Sequence, residues 1–397
     1  MQLQNQFRDS PSLRALDTSE TILAGIRELS PEITARSAEI EAARRIPPDL
    51  VDRLKSLGLF RMFVPRSHGG LELALPAGLA VISALARIDG SVGWTAMVAG
   101  AAAIFSALAQ RETYDRIYRN GPDVAICGSS QPAGTAEPVA DGWRINGRWP
   151  LASGCTHAEW IAGFCVVTAD GNPVVDAQGR PRVRGVVLPA QDWKIEDSWH
   201  AAGLKGTGSH HIVLKDALVP EVSLFDFEGG VPCAPGQLYP AVRHLLPLFH
   251  AAFSVGMAEG ALDELVALAR TGRQQYQAAS PMQKSEVFQF ELGRIYADVR
   301  AAQAFLQVQV ASHWNHVLTG TLKDEALLIE GMQAAVWIAS ACIRVADACF
   351  ALAGSSAVYE TSPLQRRLRD LHVAGQHAIA QQRQYVGAGK LLLMCSA

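Results

Sequence analysis

The chain has 397 residues with a formal net charge of −3, and 49% of its residues are hydrophobic against 18% charged. This length predicts two or three domains, and this composition predicts a large buried interior rather than a disordered chain. The nearly balanced charge, with no run of lysine or arginine, argues against a nucleic-acid-binding surface.

Residues 1–123 are predicted to form an N-terminal helical domain whose helices are separated by proline and glycine. A helical pattern that follows Thr18 and Ser19 stops near Ser30, and Pro31 is expected to begin the next helix, which runs to about residue 45. Further helices are predicted over residues 49–57, between Pro76 and Asp89, and over residues 91–108 and 110–119.

Residues 124–230 are predicted to form a small β-domain, because short apolar runs alternate there with turn dipeptides. Asp141-Gly142 and Asn146-Gly147 enclose residues 143–145 and predict two hairpin turns. Asp170-Gly171 and Gln178-Gly179 predict further turns, and strands are expected over residues 183–188, 193–195 and 211–214.

Residues 231–397 are predicted to form a C-terminal bundle of four long amphipathic helices. These helices are expected over residues 248–270, 285–318, 324–352 and 363–393. Short connections between long helices favour an up-and-down, antiparallel bundle. The fold class is therefore α+β, mainly α, with a helical domain, a β-domain and a four-helix bundle in that order.

The cysteines and the apolar stretches indicate the cellular compartment in which the protein is expected. Seven cysteines form no Cys-x-x-Cys pair, which predicts reduced thiols, no metal site and a cytoplasmic location. The N-terminus lacks the basic and apolar regions of a secretory signal. Apolar stretches such as residues 95–109 are too short for a bilayer, so no membrane association is expected.

Four groups of short motifs follow one another between residues 20 and 395. They are Gly58-Leu59-Phe60 with Val64-Pro65 and Gly69-Gly70-Leu71; Trp149-Pro150-Leu151-Ala152-Ser153-Gly154 with Ala158-Glu159-Trp160; Gly203-Leu204-Lys205-Gly206-Thr207-Gly208-Ser209; and Pro363-Leu364-Gln365-Arg366 with Arg369-Asp370. Their order and content resemble the acyl-CoA dehydrogenase superfamily. The resemblance implies the acyl-CoA dehydrogenase fold, with a flavin lying against the β-domain.

Within that superfamily, the segment after Arg369-Asp370 distinguishes one chemistry from another. Acyl-CoA dehydrogenases need a carboxylate base, commonly a glutamate in this region, to remove an α-proton. Here residues 371–385 contain no acidic residue, and they carry His372 and His377 instead. An arginine-aspartate pair with a histidine seven residues after the aspartate resembles the reduced-flavin-dependent monooxygenases, such as the oxygenase component of p-hydroxyphenylacetate hydroxylase.

His377 is the predicted catalytic residue. On one continuous helix, positions five apart diverge by about 140°, so His372 and His377 would not share one narrow face. Positions seven apart realign to within about 20°, which would place Asp370 and His377 on one stripe. An imidazole can accept a proton near neutral pH or hydrogen-bond a flavin peroxide. The alternative is a structural histidine inside the bundle.

The flavin ring is expected to lie against the β-domain. Ser153, also assigned a catalytic role, and Gly154 would offer a hydroxyl or a backbone N–H to flavin N5 or O4, unless they form an ordinary turn. Thr207 and Ser209 suit a loop against flavin or phosphate. Trp199 would stack on the ring or belong to the core. The resemblance adds Ser129 and Gln131, in the loop that passes the flavin.

Two further groups are assigned to the flavin phosphate and to the substrate. Arg273, Gly354 and Ser355 are candidates for the phosphate across a subunit boundary, although an arginine near a helix end is equally a solvated cation. The predicted substrate residues are Trp94, Met97, Phe105, His250 and His372. The small-residue helix that carries the first three would either form a substrate wall or be simply a closely packed helix.

The resemblance implies the oxygenase component of a two-component flavin-dependent monooxygenase. Reduced FMN, or else FAD, would react with dioxygen to give a C4a-hydroperoxide that hydroxylates a small, aromatic or polycyclic substrate. No Gly-x-Gly-x-x-Gly motif follows a predicted strand, so a separate flavin reductase is expected to supply the reduced flavin. The superfamily's usual assembly implies a homotetramer.

Two other functions are compatible with the sequence. One is an FAD-dependent acyl-CoA dehydrogenase or oxidase that uses an unrecognised base. The other is a descendant of the fold that binds a partner without catalysis. Tight binding of FAD would favour the first, and failure to bind any flavin would favour the second.

Overall fold

The computed structural model describes residues 11–227 and 229–394. Helices make up the N-terminal part, and the chain changes from helices to strands between Ile117 and Ile126. The N-terminal helices are α1 (Pro11–Ala35), α2 (Ser37–Ala43), α3 (Pro48–Ser56), α4 (Leu75–Ile88), α5 (Gly90–Phe105) and α6 (Arg111–Ile117).

The prediction that Ser30 and Pro31 separate two helices is wrong. Pro31 lies inside α1, which continues to Ala35. A proline removes one backbone hydrogen bond, but the helix faces on both sides of it are held by the same core. Ile26, Leu29 and Ile33 are each 2% exposed or less. Tertiary packing therefore outweighs the local signal.

Helix α5 crosses α4 at very short range. Its N-terminus is capped by Asp89, whose carboxylate accepts hydrogen bonds from the backbone N–H groups of Ser91 and Val92. A Cβ atom on Gly93 would lie 2.4 Å from the Ala86 Cα, so only glycine permits this approach. The small residues of α5 thus serve close packing, while other residues of the same helix face a cavity.

The middle of the chain forms an eight-stranded sheet with the order β6-β7-β2-β1-β3-β5-β8, and β4 pairs with β3. The strands are β1 (Ile126–Val139), β2 (Gly142–Ala152), β3 (Trp160–Ala169), β4 (Asn172–Pro173), β5 (Val183–Pro189), β6 (Lys194–Glu196), β7 (His210–Val219) and β8 (Leu224–Phe225). The three strands expected over residues 183–188, 193–195 and 211–214 are confirmed within one residue or by longer strands.

The predicted turn at Asn146-Gly147 is wrong, whereas a turn does precede Gly142, where β1 and β2 form a hairpin. Strand β2 continues through Gly147 to Ala152. Gly147 lies against Gly134 on β1 and against the Trp149 side chain, where a Cβ atom would be 2.6 Å from each. The glycine therefore serves a close approach between two strands rather than a turn.

The C-terminal region contains five helices in the described chain, because the last of the four predicted helices is broken in two. The helices are α7 (Val242–Arg270), α8 (Glu286–Thr319), α9 (Glu325–Ala353), α10 (Pro363–Ala374) and α11 (Tyr385–Met394). Helix α7 begins before Pro247 rather than after it. It packs against α4, α8 and α9, which joins the bundle to the N-terminal helices.

The single helix predicted over residues 363–393 is wrong. Helix α10 ends at Ala374, and short 3-10 turns lead to α11. A Cβ atom on Gly375 would be 2.6 Å from the Ile343 side chain, so glycine allows this end of α10 to lie close to α9. His377 then adopts an extended backbone and caps the next turn. Helical phase consequently does not relate His372 to His377.

Three helical stretches are long and apolar enough to cross a membrane by length and composition: Gly90–Leu108, Val242–Arg270 and Glu325–Ala357. The judgement that the apolar stretches are too short is therefore wrong. Their most apolar windows are 78%, 83% and 50% buried within the protein. For the first two, packing inside this fold buries most of the apolar window.

Candidate active site

An apolar cavity of about 330 Å³ lies where α5, the sheet and the C-terminal segment meet. Helix α5 supplies Met97, Val98 and Phe105, while β1 supplies residues 126–130. Helix α7 contributes His250, and the segment after α10 contributes His377. No aspartate, glutamate, lysine or arginine occurs among the described residues that line it. The cavity thus combines an apolar interior with a few hydroxyl and imidazole groups.

His377 lines this cavity, and a backbone hydrogen bond fixes the orientation of its imidazole. Its Nδ1 accepts a hydrogen bond from the Ile379 backbone N–H at 3.3 Å. Burial lowers the pKa of His377, so the ring is neutral at pH 7. With Nδ1 used as an acceptor, the neutral ring carries its proton on Nε2. His377 is therefore arranged to donate a hydrogen bond from Nε2.

Two aromatic side chains pack against the His377 ring. Its centroid lies 5.6 Å from that of His250 in a stacked arrangement, and 5.7 Å from that of Trp94 at a steep angle. His250 donates from Nε2 to the Ala374 carbonyl at 3.0 Å, which ties α7 to the end of α10. Burial lowers the pKa of His250 to about 3, so it too is neutral. Trp94 packs in turn on Phe253.

A cleft opens between β1 and β2 beside the cavity. These strands pair from Gly134–Gly147 to Val139–Gly142, and within the described chain no β2 partner is paired to residues 126–133. The other edge of β2 pairs with β7 along the strand, from Trp143 to Ala152. Strands β1 and β2 diverge beyond the Gly134–Gly147 pair, which leaves one edge of β1, with the hydroxyls of Ser129 and Ser130, beside the cavity.

Ser153 lies at the far end of β2, across a narrow void from Cys127. Four hydrogen bonds connect its hydroxyl to its surroundings in series. Trp94 Nε1 donates to Ser153 Oγ at 3.0 Å, and Ser153 Oγ lies 2.7 Å from Ser209 Oγ. Ser209 Oγ lies 2.6 Å from Thr207 Oγ1, which donates to the Leu204 carbonyl at 2.8 Å. We refer to this series as the hydroxyl chain.

Two buried polar atoms next to this void have no hydrogen-bond partner among the described residues. They are Thr95 Oγ1 and His157 Nδ1, and both residues line the void together with Ser153 and Gly154. Burial lowers the pKa of His157 to about 4, so this ring is neutral. Unsatisfied buried polar atoms are rare in folded proteins and point to a missing partner.

Asp370 anchors the other end of the hydroxyl chain. Its buried carboxylate accepts a hydrogen bond from the Leu204 backbone N–H at 2.5 Å, which holds the loop that carries Thr207 and Ser209. The neighbouring Arg367 donates to the Arg87 and Ile88 carbonyls at the end of α4. Within the motif itself, Arg369 donates to the Ala202 carbonyl at 2.6 Å. Neither Arg369 nor Asp370 lines the cavity, and both hold the loop before Thr207 against α10.

Several predicted site residues lie away from the cavity. His372 is half exposed and pairs with Asp347 at 2.8 Å, so it does not reach the substrate region. Trp199 does not line the cavity and donates from Nε1 to the Leu204 carbonyl, while Gln131 is exposed. Trp94 packs behind His377 rather than on the cavity surface. Met97, Phe105 and His250 do line it.

Arg273, Gly354 and Ser355 lie together, but not at the cavity. Arg273 Nη2 donates to the Ser355 hydroxyl at 3.4 Å, and its buried Nε has no partner in the part of the chain that the structure describes. Gly354 adopts a φ of 64°, and a Cβ atom there would lie 3.0 Å from Gln275 Nε2. Within a single chain this cluster is separate from the cavity residues.

Sequence reasoning missed most of the aromatic wall of the cavity. Phe105 stacks on Phe227 with centroids 4.6 Å apart, and meets Phe164 and Phe225 edge-on at 5.8 and 5.5 Å. These rings come from α5, β3, β8 and the segment after β8. Each looks like an ordinary core residue in its own segment, so no local signal separates them from the rest of the interior.

The described residues contain no group of three or more histidine, cysteine, aspartate or glutamate side chains placed to hold a metal ion. Six cysteines are free thiols, and Cys395 lies outside the described residues. The cavity lining also lacks a carboxylate that could act as the base of an acyl-CoA dehydrogenase. That rival function therefore receives no support from the site.

Comparison with known proteins agrees with this architecture. Residues 17–114 match the acyl-CoA dehydrogenase N-terminal domain, and residues 248–382 match the acyl-CoA dehydrogenase C-terminal domain. An indole-3-acetate monooxygenase of Pseudomonas putida is 32% identical over 96% of this chain and 97% of its own. The flavin-dependent monooxygenase oxygenase subunit HsaA of Rhodococcus jostii is 30% identical over 91% of this chain and 95% of its own.

A solved structure shows the same likeness in three dimensions. The HsaA monooxygenase from M. tuberculosis superimposes with a TM-score of 0.85 at 27% sequence identity, covering 94% of this chain and 97% of that one. The acyl-CoA dehydrogenase fold expected from the motifs is thereby confirmed. Similarity extends over nearly the whole chain.

Proposed function

The chain belongs to the acyl-CoA dehydrogenase family, among the oxygenase components of flavin-dependent monooxygenases, and we propose that it oxygenates a small aromatic substrate in the cavity beside His377. The observation that carries this proposal is the uncharged cavity that ends at a neutral, Nε2-protonated histidine. The indole-3-acetate monooxygenase relative is named for an aromatic substrate. Four phenylalanine rings suit such a substrate, because aromatic rings pair edge-on and by offset stacking.

The cleft beside the cavity fits a flavin ring. The unpaired edge of β1 offers backbone groups and the hydroxyls of Ser129 and Ser130, and Ser153 lies opposite with unsatisfied polar atoms nearby. A flat heterocycle with polar edges and apolar faces would satisfy both sides. When bound and reduced, the flavin supplies the activation of dioxygen. The protein supplies a dry cavity, an Nε2–H donor at His377 and a wall that orients the substrate.

The enzyme acts with a separate component that supplies the reduced flavin, since relatives are named oxygenase subunits or components. We propose that this component is a flavin reductase and that reduced FMN, or else FAD, is the form that binds. The cytoplasm, where the thiols stay reduced, is the proposed location.

The function is tested with purified protein, a generic flavin reductase, FMN, NADH and a panel of small aromatic compounds under ¹⁸O₂. We expect one labelled oxygen atom in a hydroxylated product, and only when reduced flavin is supplied. Ser153→Ala is expected to weaken the binding of reduced flavin, whereas Ser56→Ala serves as the control, because this exposed hydroxyl bonds only to the Asp52 carbonyl of its own helix. Product formation that needs no reduced flavin, or bleaching of bound FAD by an acyl-CoA thioester, would contradict the proposal.

We propose that four copies of the chain assemble, with the Arg273, Gly354 and Ser355 cluster binding the flavin phosphate of a neighbouring subunit. Large apolar side chains on two helices support this, because α8 exposes Val287, Phe290 and Val308, and α11 exposes Leu392 and Leu393. Arg273 has an unpaired Nε beside a hydroxyl, which suits a phosphate. Light scattering should give four times the chain mass, and Phe290→Glu should lower it; a monomeric parent protein would rule the assembly out.

A further inference from the structure

Ser106 lines the cavity at the end of α5 that is remote from His377. The lining residues recur every three or four positions along α5, from Met97 to Ser106, so the cavity follows one face of this helix. His377 packs on Trp94, which lies near the beginning of the same helix. A helix rises 1.5 Å per residue, so Trp94 and Ser106 are about 18 Å apart along its axis. The cavity thus extends along α5 between His377 and Ser106.

The Ser106 hydroxyl makes two hydrogen bonds inside the protein. Its Oγ donates to the Ala103 carbonyl at 2.8 Å and lies 3.0 Å from the hydroxyl of Tyr118, the residue that follows α6. Tyr118 is 5% exposed, and burial raises the pKa of its hydroxyl, which therefore keeps its proton. Among the described residues, this hydroxyl has no hydrogen-bond partner other than Ser106.

The protons of these two hydroxyls have one arrangement in which both are used. Tyr118 donates to Ser106, and Ser106 donates to the Ala103 carbonyl. The reverse direction would leave the buried Tyr118 proton without an acceptor, which folded proteins avoid. A hydroxyl oxygen has two lone pairs, and Tyr118 occupies one of those on Ser106. Ser106 therefore keeps one lone pair for a ligand, while its proton is already bonded.

We propose that Ser106 is a specificity-determining residue that accepts a hydrogen bond from an N–H or O–H group of the substrate, and that Tyr118 is the positioning residue that fixes its direction. The proposal rests on the proposed function, because it concerns the substrate of that reaction. Its substrate class is an aromatic compound with a hydrogen-bond donor at the end remote from His377. A compound that can only accept would have to take the Ser106 proton from Ala103, at the cost of one hydrogen bond.

Indole and benzofuran are matched probes for this acceptor. They share one fused-ring shape, but the indole N–H can only donate, whereas the benzofuran oxygen can only accept. His377 offers an Nε2–H donor, so it cannot replace Ser106 as the partner of the indole N–H. The dissociation constant of each compound is measured by equilibrium dialysis against the full-length protein with oxidised FMN present, a condition under which no turnover occurs.

The parent protein should bind indole about five- to tenfold more tightly than benzofuran. Combining Ser106→Ala with Tyr118→Phe removes both hydroxyls and leaves no hydroxyl proton of the pair without an acceptor, so the two constants should come within about twofold of each other. Tyr118→Phe alone leaves Ser106 as an acceptor held by one bond, and the ratio should fall part of the way. Ser56→Ala, at an exposed hydroxyl outside the cavity, is the control and should keep the parent's ratio.

An unchanged ratio in the double variant would overturn the role of Ser106. Equal affinity of the parent for both probes, or failure to bind either, would do so as well. A Tyr118→Phe protein with the parent's ratio would overturn the role of Tyr118. Because these affinities are measured without turnover, they are independent of the ¹⁸O₂ experiment. If no aromatic compound is oxygenated there, the proposed function fails whatever the ratio of the two constants.

Discussion

Replacing His377 with alanine is expected to reduce product formation roughly 10²–10⁴-fold while leaving the affinity for reduced flavin unchanged. The ring lines the cavity, is kept neutral by burial, and has its Nδ1 occupied by the Ile379 N–H. Its Nε2–H is therefore a donor that the cavity would lose. Oxygen should still be consumed, with hydrogen peroxide released in place of product. The measurement compares product with peroxide per NADH oxidised.

His372→Ala is the matched control for this variant. His372 lies five residues earlier, but it is half exposed and bonded to Asp347 on α9. Its removal should change neither product formation nor coupling. If His377→Ala retains the parent's rate and coupling, the role assigned to His377 is wrong. If His372→Ala alone impairs product formation, the substrate contacts His372, outside the proposed cavity.

A second large effect is expected on stability as a function of pH, and it depends on Asp370. Burial, reinforced by Asp89 and Glu41, raises the pKa of this carboxyl to about 7, although the Leu204 N–H and Arg369 oppose the shift. Between about pH 4 and pH 7 the folded protein therefore keeps a proton that the unfolded chain has lost. Asp370 makes folding less favourable as the pH rises through this window, and its contribution is constant above it.

Asp370→Asn should remove this dependence. The amide oxygen can still accept from Leu204 but does not titrate, so the variant should gain stability relative to the parent between pH 5 and pH 8, by about 1–4 kcal/mol. Buried His250 and His157, with pKa values lowered to about 3 and 4, act in the opposite direction. The difference in the free energy of unfolding between variant and parent therefore isolates the contribution of Asp370.

Urea unfolding of both proteins at pH 5, 6, 7 and 8 measures that difference. Asp52→Asn, at an exposed carboxylate on α3, is the control and should follow the parent curve at every pH. If the free energies of unfolding of Asp370→Asn and the parent change with pH in parallel, Asp370 is ionised at every pH tested. A variant that loses stability equally at each pH would show that its hydrogen bond to Leu204 matters more than its charge.

The motifs of this chain determine its fold and its class of chemistry. Their order from Gly58-Leu59-Phe60 to Arg369-Asp370 predicts the acyl-CoA dehydrogenase fold, and the family matches confirm it. The absence of an acidic residue between 371 and 385 indicates an oxygenase rather than a dehydrogenase, in agreement with the relatives. Such properties depend on which residue types are present in which order, and a sequence states these directly.

The tertiary structure decided which side chains meet. Helical phase favoured His377 over His372 on the assumption that both lie on one continuous helix. Helix α10 instead ends at Ala374, before His377, because Gly375 packs tightly against Ile343. His377 reaches the cavity through a break in the helix instead. The four phenylalanines of the cavity come from separate segments, and the hydroxyl chain joins α5, the residue after β2 and the loop before β7. Contacts between distant segments depend on packing across the whole fold, and no local pattern encodes them.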